Sequence, residues 1–104
     1  MKGSGDFSIG SAVWPGISKL TEECGEVMQV CGKLVGSHGE VIHFDGSDLR
    51  KRMQEELADL LAAIEFVVAV NPLDYDAIAA RRDEKLKLFH AWHDADIAKE
   101  EQKP

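Results

Sequence analysis

Two cysteines, three prolines and a single tyrosine in 104 residues leave little from which to build a disulfide scaffold, a proline-rich linker or an aromatic-rich surface. Basic residues are also few. Twelve Lys and Arg stand against nineteen Asp and Glu, for a net charge of -7 and a pI near 5.0. Such a balance argues against general nucleic-acid binding, because a polyanion rewards a basic surface through counterion release. An anionic ligand would need a metal or a local basic patch. Long hydrophobic runs are missing as well. The longest, residues 57 to 70, covers 14 positions and contains Asp59 and Glu65, short of a membrane span. It reads as a buried helix, and no membrane partner is expected.

The first dozen residues are polar and glycine-rich, with no apolar core of the kind a secretory signal requires. A cytoplasmic location is expected. Cys24 and Cys31 lie seven apart on one expected helix, so about 10 Å of rise separates them and they cannot pair with each other. They read as reduced core thiols.

Residues 1 to 13 interleave glycine and serine and suggest a flexible N-terminal segment, Phe7 being its apolar exception. Pro15 or Ser18 can then open a helix. Ile17, Leu20, Cys24, Val27, Cys31 and Leu34 trace one helical face and carry helix one to about Val35. Glycines and serines over 36 to 47 predict a loop, and Ser47 or Asp48 can cap helix two. Asn71-Pro72 stops that helix at Val70. Asp74 can cap helix three, where Tyr75, Ile78, Ala79, Leu86, Phe89 and Ile97 form an apolar stripe. Residues 98 to 104 read as a flexible tail.

With no period-two segment, the fold class is all-α. The expectation is a helical bundle of three main helices in one domain over 14 to 97, with room for a short fourth at the N-terminus. Helix two is apolar nearly all round from Leu57 to Val70, which suits a central position. Three helices cover it poorly, so a homodimer or homotetramer that completes a four-helix core is expected. Gly25 and Gly32, each costing about 1 kcal/mol in a helix, read as sites of close helix approach.

Against the negative total, acids are crowded. Glu22, Glu23 and Glu26 occupy an arc of about 100° on helix one, away from the Leu20, Cys24, Cys31 face. Alone, that cluster reads as a solvated face. Glu56 and Asp59 share one side of helix two with Ala63 and Phe66, where uncompensated carboxylates cost several kcal/mol of desolvation. A metal resolves the conflict. Magnesium, a hard cation that takes a few carboxylates and leaves positions for water and phosphate, suits the set, with manganese able to substitute.

Glu23-Cys24-Gly25-Glu26 followed by Glu56-Leu57-Ala58-Asp59 resembles the paired ExxE and ExxD signature of the MazG-like all-α nucleoside triphosphate pyrophosphohydrolases. KLTEECGEV, EELADLLAAIEF and RRDEKLKLF come in that family's order, so the resemblance covers roughly residues 14 to 93. It implies hydrolysis of a nucleoside triphosphate to the monophosphate and pyrophosphate. Glu23, Glu26, Glu56 and Asp59 would then be the magnesium ligands, with Glu22 and Glu55 as candidates for orienting water. Twenty-nine residues between Glu26 and Glu56 are at the long end for the family's spacer, and the 36 to 47 loop carrying His38, His43, Phe44 and Asp45 could extend the pocket. Candidate substrate contacts are His43, Arg81 and Lys85 on phosphate or base, and Trp14 or Phe7 stacking on the base. The opening resembles small phage-type members, which implies a host cytoplasm. A purine deoxynucleotide such as dGTP is the first substrate choice, with dCTP and dUTP close behind.

Three other readings meet the acidic pattern less well or without chemistry. A ferritin-like oxidase needs two Glu-x-x-His elements on helices, and only Glu40 to His43 has that spacing, among loop glycines. A zinc site lacks a close cysteine pair. An acidic helical interaction module, without catalysis, is the main alternative.

Overall fold

The computed structural model describes residues 7 to 103. It is all-α. Helix α1 runs Ile17–Gly36, α2 Leu49–Val70 and α3 Tyr75–Glu101. The one β-type pairing among the described residues is an isolated bridge between Ile42 and Asp48. The chain divides into two units, up to Pro72 and from Leu73 onward.

The caps of α2 and α3 follow from side-chain chemistry. Asp48 accepts from the backbone N–H groups of Arg50 and Lys51 at 3.0 and 3.1 Å, and Asp74 from that of Ala77 at 3.1 Å, which satisfies donors the first turn leaves over. At the end of α1, the Gly39 amide donates to the Leu34 carbonyl at 2.8 Å with Gly39 at φ 87°, a left-handed closure that glycine adopts without steric cost. Asn71 ends α2, as expected. Its buried amide donates both to the Val67 carbonyl at 2.8 Å and, across the unit, to the Pro15 carbonyl at 3.0 Å.

That second bond anchors a strap. Where composition suggests a loose lead-in, residues 7 to 16 form hydrogen-bonded turns: Ser11 N–H donates to the Ser8 carbonyl at 3.1 Å, Ser18 N–H to the Phe7 carbonyl at 3.1 Å, and Val13 N–H to the buried Ser11 hydroxyl at 2.9 Å. No N-terminal helix lies among the described residues, and positions 1 to 6 of the expected lead-in lie outside them. The strap reaches α2 at Gly16, which is buried with φ 88°. A Cβ there would stand 2.7 Å from Phe66 Cδ2 and 3.1 Å from Val67 Cγ2. Only glycine permits both the backbone angle and the approach.

Leu49, Val30, Ala63 and Val67 form the buried core of the first unit. On α1 the packed stripe is Leu20, Glu23, Val27, Val30 and Leu34, none of them exposed. Here the structure corrects the expected face. Cys24 and Cys31 are exposed thiols, not core ones, and Glu23 lies on the packed side rather than away from it. Cys24 and Cys31 belong with Met28 (71% exposed) and Val35 (76%) to an apolar stripe on the neighbouring face. No added Cβ at Gly25 or Gly32 would meet another group within 4 Å, so neither glycine serves a close approach within the chain.

α3 continues through Glu101, past Ile97 and into the stretch that composition assigns to a tail. None of its side chains is buried. Trp92 is 55% exposed and meets Phe89 at a centroid distance of 5.7 Å. No described helix is long and apolar enough to cross a membrane.

Candidate metal centre

Antiparallel neighbours in sequence bring the two acidic clusters together, with Glu23 and Glu56 part-buried and Asp59 exposed. On α2, Glu56 and Asp59 continue the stripe of Ala63 and Val67 by steps of three and four; on α1, Glu23 precedes Val27 and Val30 in the same way. One carboxylate oxygen each from Glu23, Glu56 and Asp59 falls within 4.8 Å of the other two. Glu23 and Glu56 side chains are only 14% exposed. Three acids at this separation repel one another, and partial burial sharpens the conflict. The Glu23 carboxyl is accordingly held above its ordinary pKa, by desolvation first and by the Asp59 charge second.

A cation would remove that cost. The donor set is all oxygen, which is the chemistry of magnesium or manganese rather than of zinc or copper. These three residues fit such an ion. Glu26, fourth acid of the signature, is half-buried one turn along α1 and outside the group of three.

Each helix also carries a base one turn before its first ligand. Lys19 Nζ donates to Glu22 Oε1 at 2.6 Å and sits 3.9 Å from Glu23 Oε2, while Arg52 Nη2 donates to Glu56 Oε2 at 3.4 Å. The Glu22 hydrogen bond, then its charge, raises the Lys19 pKa. Neither base was among the sequence candidates. Their signal is a repeated octet, KLTEECGE at 19 to 26 and RMQEELAD at 52 to 59, which matches in residue type at every position.

Beside the triad lies a pocket of about 380 Å³. Its apolar walls come from Ile9 on the strap, Gly16, and Ala62, Ala63 and Phe66 on α2, and Lys19, Glu23 and Asp59 complete the lining. Trp14, expected to stack on a ligand, is half-exposed and outside this lining. Phe7 is outside it too. Glu22 and Glu55 are exposed on α1 and α2, Glu22 engaged by Lys19.

His43 belongs to the connection between α1 and α2 and does not line the pocket. Its ring meets Phe44 at 4.4 Å, and its Nδ1 is buried without a hydrogen-bond partner. In the same connection Asp45 accepts from the Ser47 hydroxyl at 2.6 Å and from its amide at 3.0 Å, which lowers the Asp45 pKa. Arg81 and Lys85 are exposed on α3, in the second unit, whereas the triad and the pocket are built within the first.

No protein-family model matches the chain, and neither the curated proteins nor the solved structures contain a match to it. The class that fold and site define is an all-α protein with a carboxylate triad between two helices.

Proposed function

We propose that this protein is a magnesium-dependent nucleoside triphosphate pyrophosphohydrolase that converts a nucleotide, with a purine deoxynucleotide such as dGTP as first choice, to the monophosphate and pyrophosphate. One observation carries the reading: the part-buried carboxylates of Glu23 and Glu56 and the exposed one of Asp59 converge from two helices at the edge of an apolar pocket. An acidic surface kept for solubility alone would place its acids outward. The ExxE and ExxD resemblance supports the same reaction and adds Glu26 as a further ligand.

Glu23, Glu56 and Asp59 would hold the ion. Magnesium supplies charge neutralisation of the triphosphate, which makes phosphorus attackable by water. Lys19, on the pocket lining, is placed to take phosphate charge that the ion leaves uncovered, exchanging its contact with Glu22 for the ligand. Glu22 and Glu55 flank the ligands and are the candidates to orient the attacking water. Water adds at the α-phosphorus and gives up a proton to solvent, the α–β bridging bond breaks, and pyrophosphate leaves with that bond's electrons.

Exposed apolar side chains on both faces support a homodimer or homotetramer. Leu57, Leu61 and Ile64 on α2 and Met28 and Val35 on α1 are uncovered, apolar side chains that a partner surface would shield from water.

Anion-exchange analysis of a panel of ribo- and deoxyribonucleoside triphosphates with magnesium, on a preparation sized by light scattering, tests both points. Monophosphate and pyrophosphate from a multimer is the expected result. Diphosphate and phosphate would move the attack to the γ-phosphorus and overturn the assignment. A monomer would remove the oligomer. No turnover with any nucleotide would leave the acidic interaction module as the better reading.

A further inference from the structure

The strap and Phe66 have no part in metal chemistry, yet they build the wall of the pocket next to it. Ile9 is 54% exposed and Phe66 37% exposed, a state that neither solvation nor core packing rewards, while both line the same cavity. What holds them there is specific. Gly16 without a Cβ lets the strap lie against Phe66, and the Asn71 amide fixes the Pro15 carbonyl. A ligand suited to this site has a planar apolar part for the walls and a polyanionic part for the ion and Lys19.

We infer that the pocket receives the nucleobase, with Ile9 of the strap and Phe66 of α2 as the specificity-determining contacts; this rests on the hydrolase reading above. Among the described residues no hydroxyl or amide side chain lines the cavity, whose polar members are Lys19, Glu23 and Asp59. Side chains therefore grip the base by stacking and size rather than by reading its hydrogen-bonding edge, since every base has a π-face. Two bases of the same size are treated alike. A base that differs in size is discriminated only as far as apolar fit allows, on the order of 10- to 200-fold.

The test compares two ligands by isothermal titration in magnesium: a deoxynucleoside triphosphate with a methylene bridge between the α- and β-phosphorus atoms, which resists cleavage, and inorganic tripolyphosphate, which has no base. Ile9→Ala and Phe66→Leu are expected to weaken the nucleotide analogue about tenfold and to leave tripolyphosphate unchanged. The wild-type protein is expected to bind the adenine and guanine analogues within about tenfold of each other. Analogue binding unaffected in both variants, or one purine preferred more than about 200-fold, overturns this inference and leaves the hydrolase reading standing. Failure of the wild type to bind either ligand overturns both.

Discussion

Replacing Glu56 by glutamine or Asp59 by asparagine is expected to abolish turnover, with kcat/KM down roughly a thousandfold, while the metal-free protein keeps its fold and melts at the same temperature or higher. The two halves of this result come from one cause. Glu23 and Glu56, both part-buried, and the exposed Asp59 present oxygens within 4.8 Å of each other, so each neutralisation relieves repulsion in the empty site and removes a ligand from the filled one. A residue whose role is stability alone would move both quantities downward. Lys19→Ala separates the phosphate contact from the ligands: it is expected to raise KM about tenfold with kcat nearly kept, as loss of binding shared by ground and transition state does. Steady-state kinetics beside thermal melts in chelator check both. Wild-type activity in either carboxamide variant contradicts the ligand assignment.

The second large effect is on stability. Magnesium at about a hundred times its Kd should stabilise the fold by about 2.7 kcal/mol, which for a domain of this size raises Tm by roughly 10 °C or more. The effect depends on pH. Glu23 has a folded pKa above its ordinary value, because of desolvation and the Asp59 charge; the folded chain therefore holds that proton more tightly than the unfolded one. The contribution of Glu23 to the stability of the metal-free protein is present below the ordinary carboxylate range and is lost as pH rises through it towards the folded value, while Asp45, whose pKa is lowered, contributes in the opposite sense. Glu23→Gln removes the first of these slopes, and magnesium opposes it at neutral pH. Melts across pH 4 to 8, in chelator and in magnesium, read the effect. Wild-type and Glu23→Gln proteins whose metal-free stabilities run parallel across the carboxylate range would contradict the proposed repulsion.

Much of the first unit was legible in the sequence, and the reason is local. Asp48, Asn71-Pro72 and Asp74 act on backbone groups within a few residues, so the bounds of α2 and the start of α3 follow from side-chain chemistry alone. The acids of α2 were legible because Glu56 and Asp59 interrupt an apolar helix. The packed face of α1 was not. That helix carries two apolar stripes, one with Val27, Val30 and Leu34 and one with Cys24, Met28, Cys31 and Val35, centred about 100° apart. Periodicity finds both stripes and cannot say which one α2 covers. The expected face joined Leu20, Val27 and Leu34 of the packed stripe to Cys24 and Cys31 of the other, which turned Glu23 outward and made helix one look more solvated than it is.

The strap was hidden for the opposite reason. Its hold on α2 is the bond from Asn71 to Pro15, 56 residues apart, and no window of sequence contains both. Ile9 and Phe66 therefore carried no signal as neighbours. Lys19 and Arg52 did carry one, in the octets KLTEECGE and RMQEELAD, where the basic residue stands four before the first ligand and so one turn away on the same side.

The central claim is that the two octets face each other to hold a divalent cation. Electron paramagnetic resonance of manganese tests it without any substrate, because the free aquo-ion signal is lost on binding. The account predicts that wild-type protein depletes the free signal in a saturable titration, that magnesium restores it by competition, and that a chain carrying Glu23→Gln, Glu56→Gln and Asp59→Asn together, folded by circular dichroism, leaves the signal untouched. Equal depletion by the wild type and the folded triple variant would place the ion elsewhere and contradict the account.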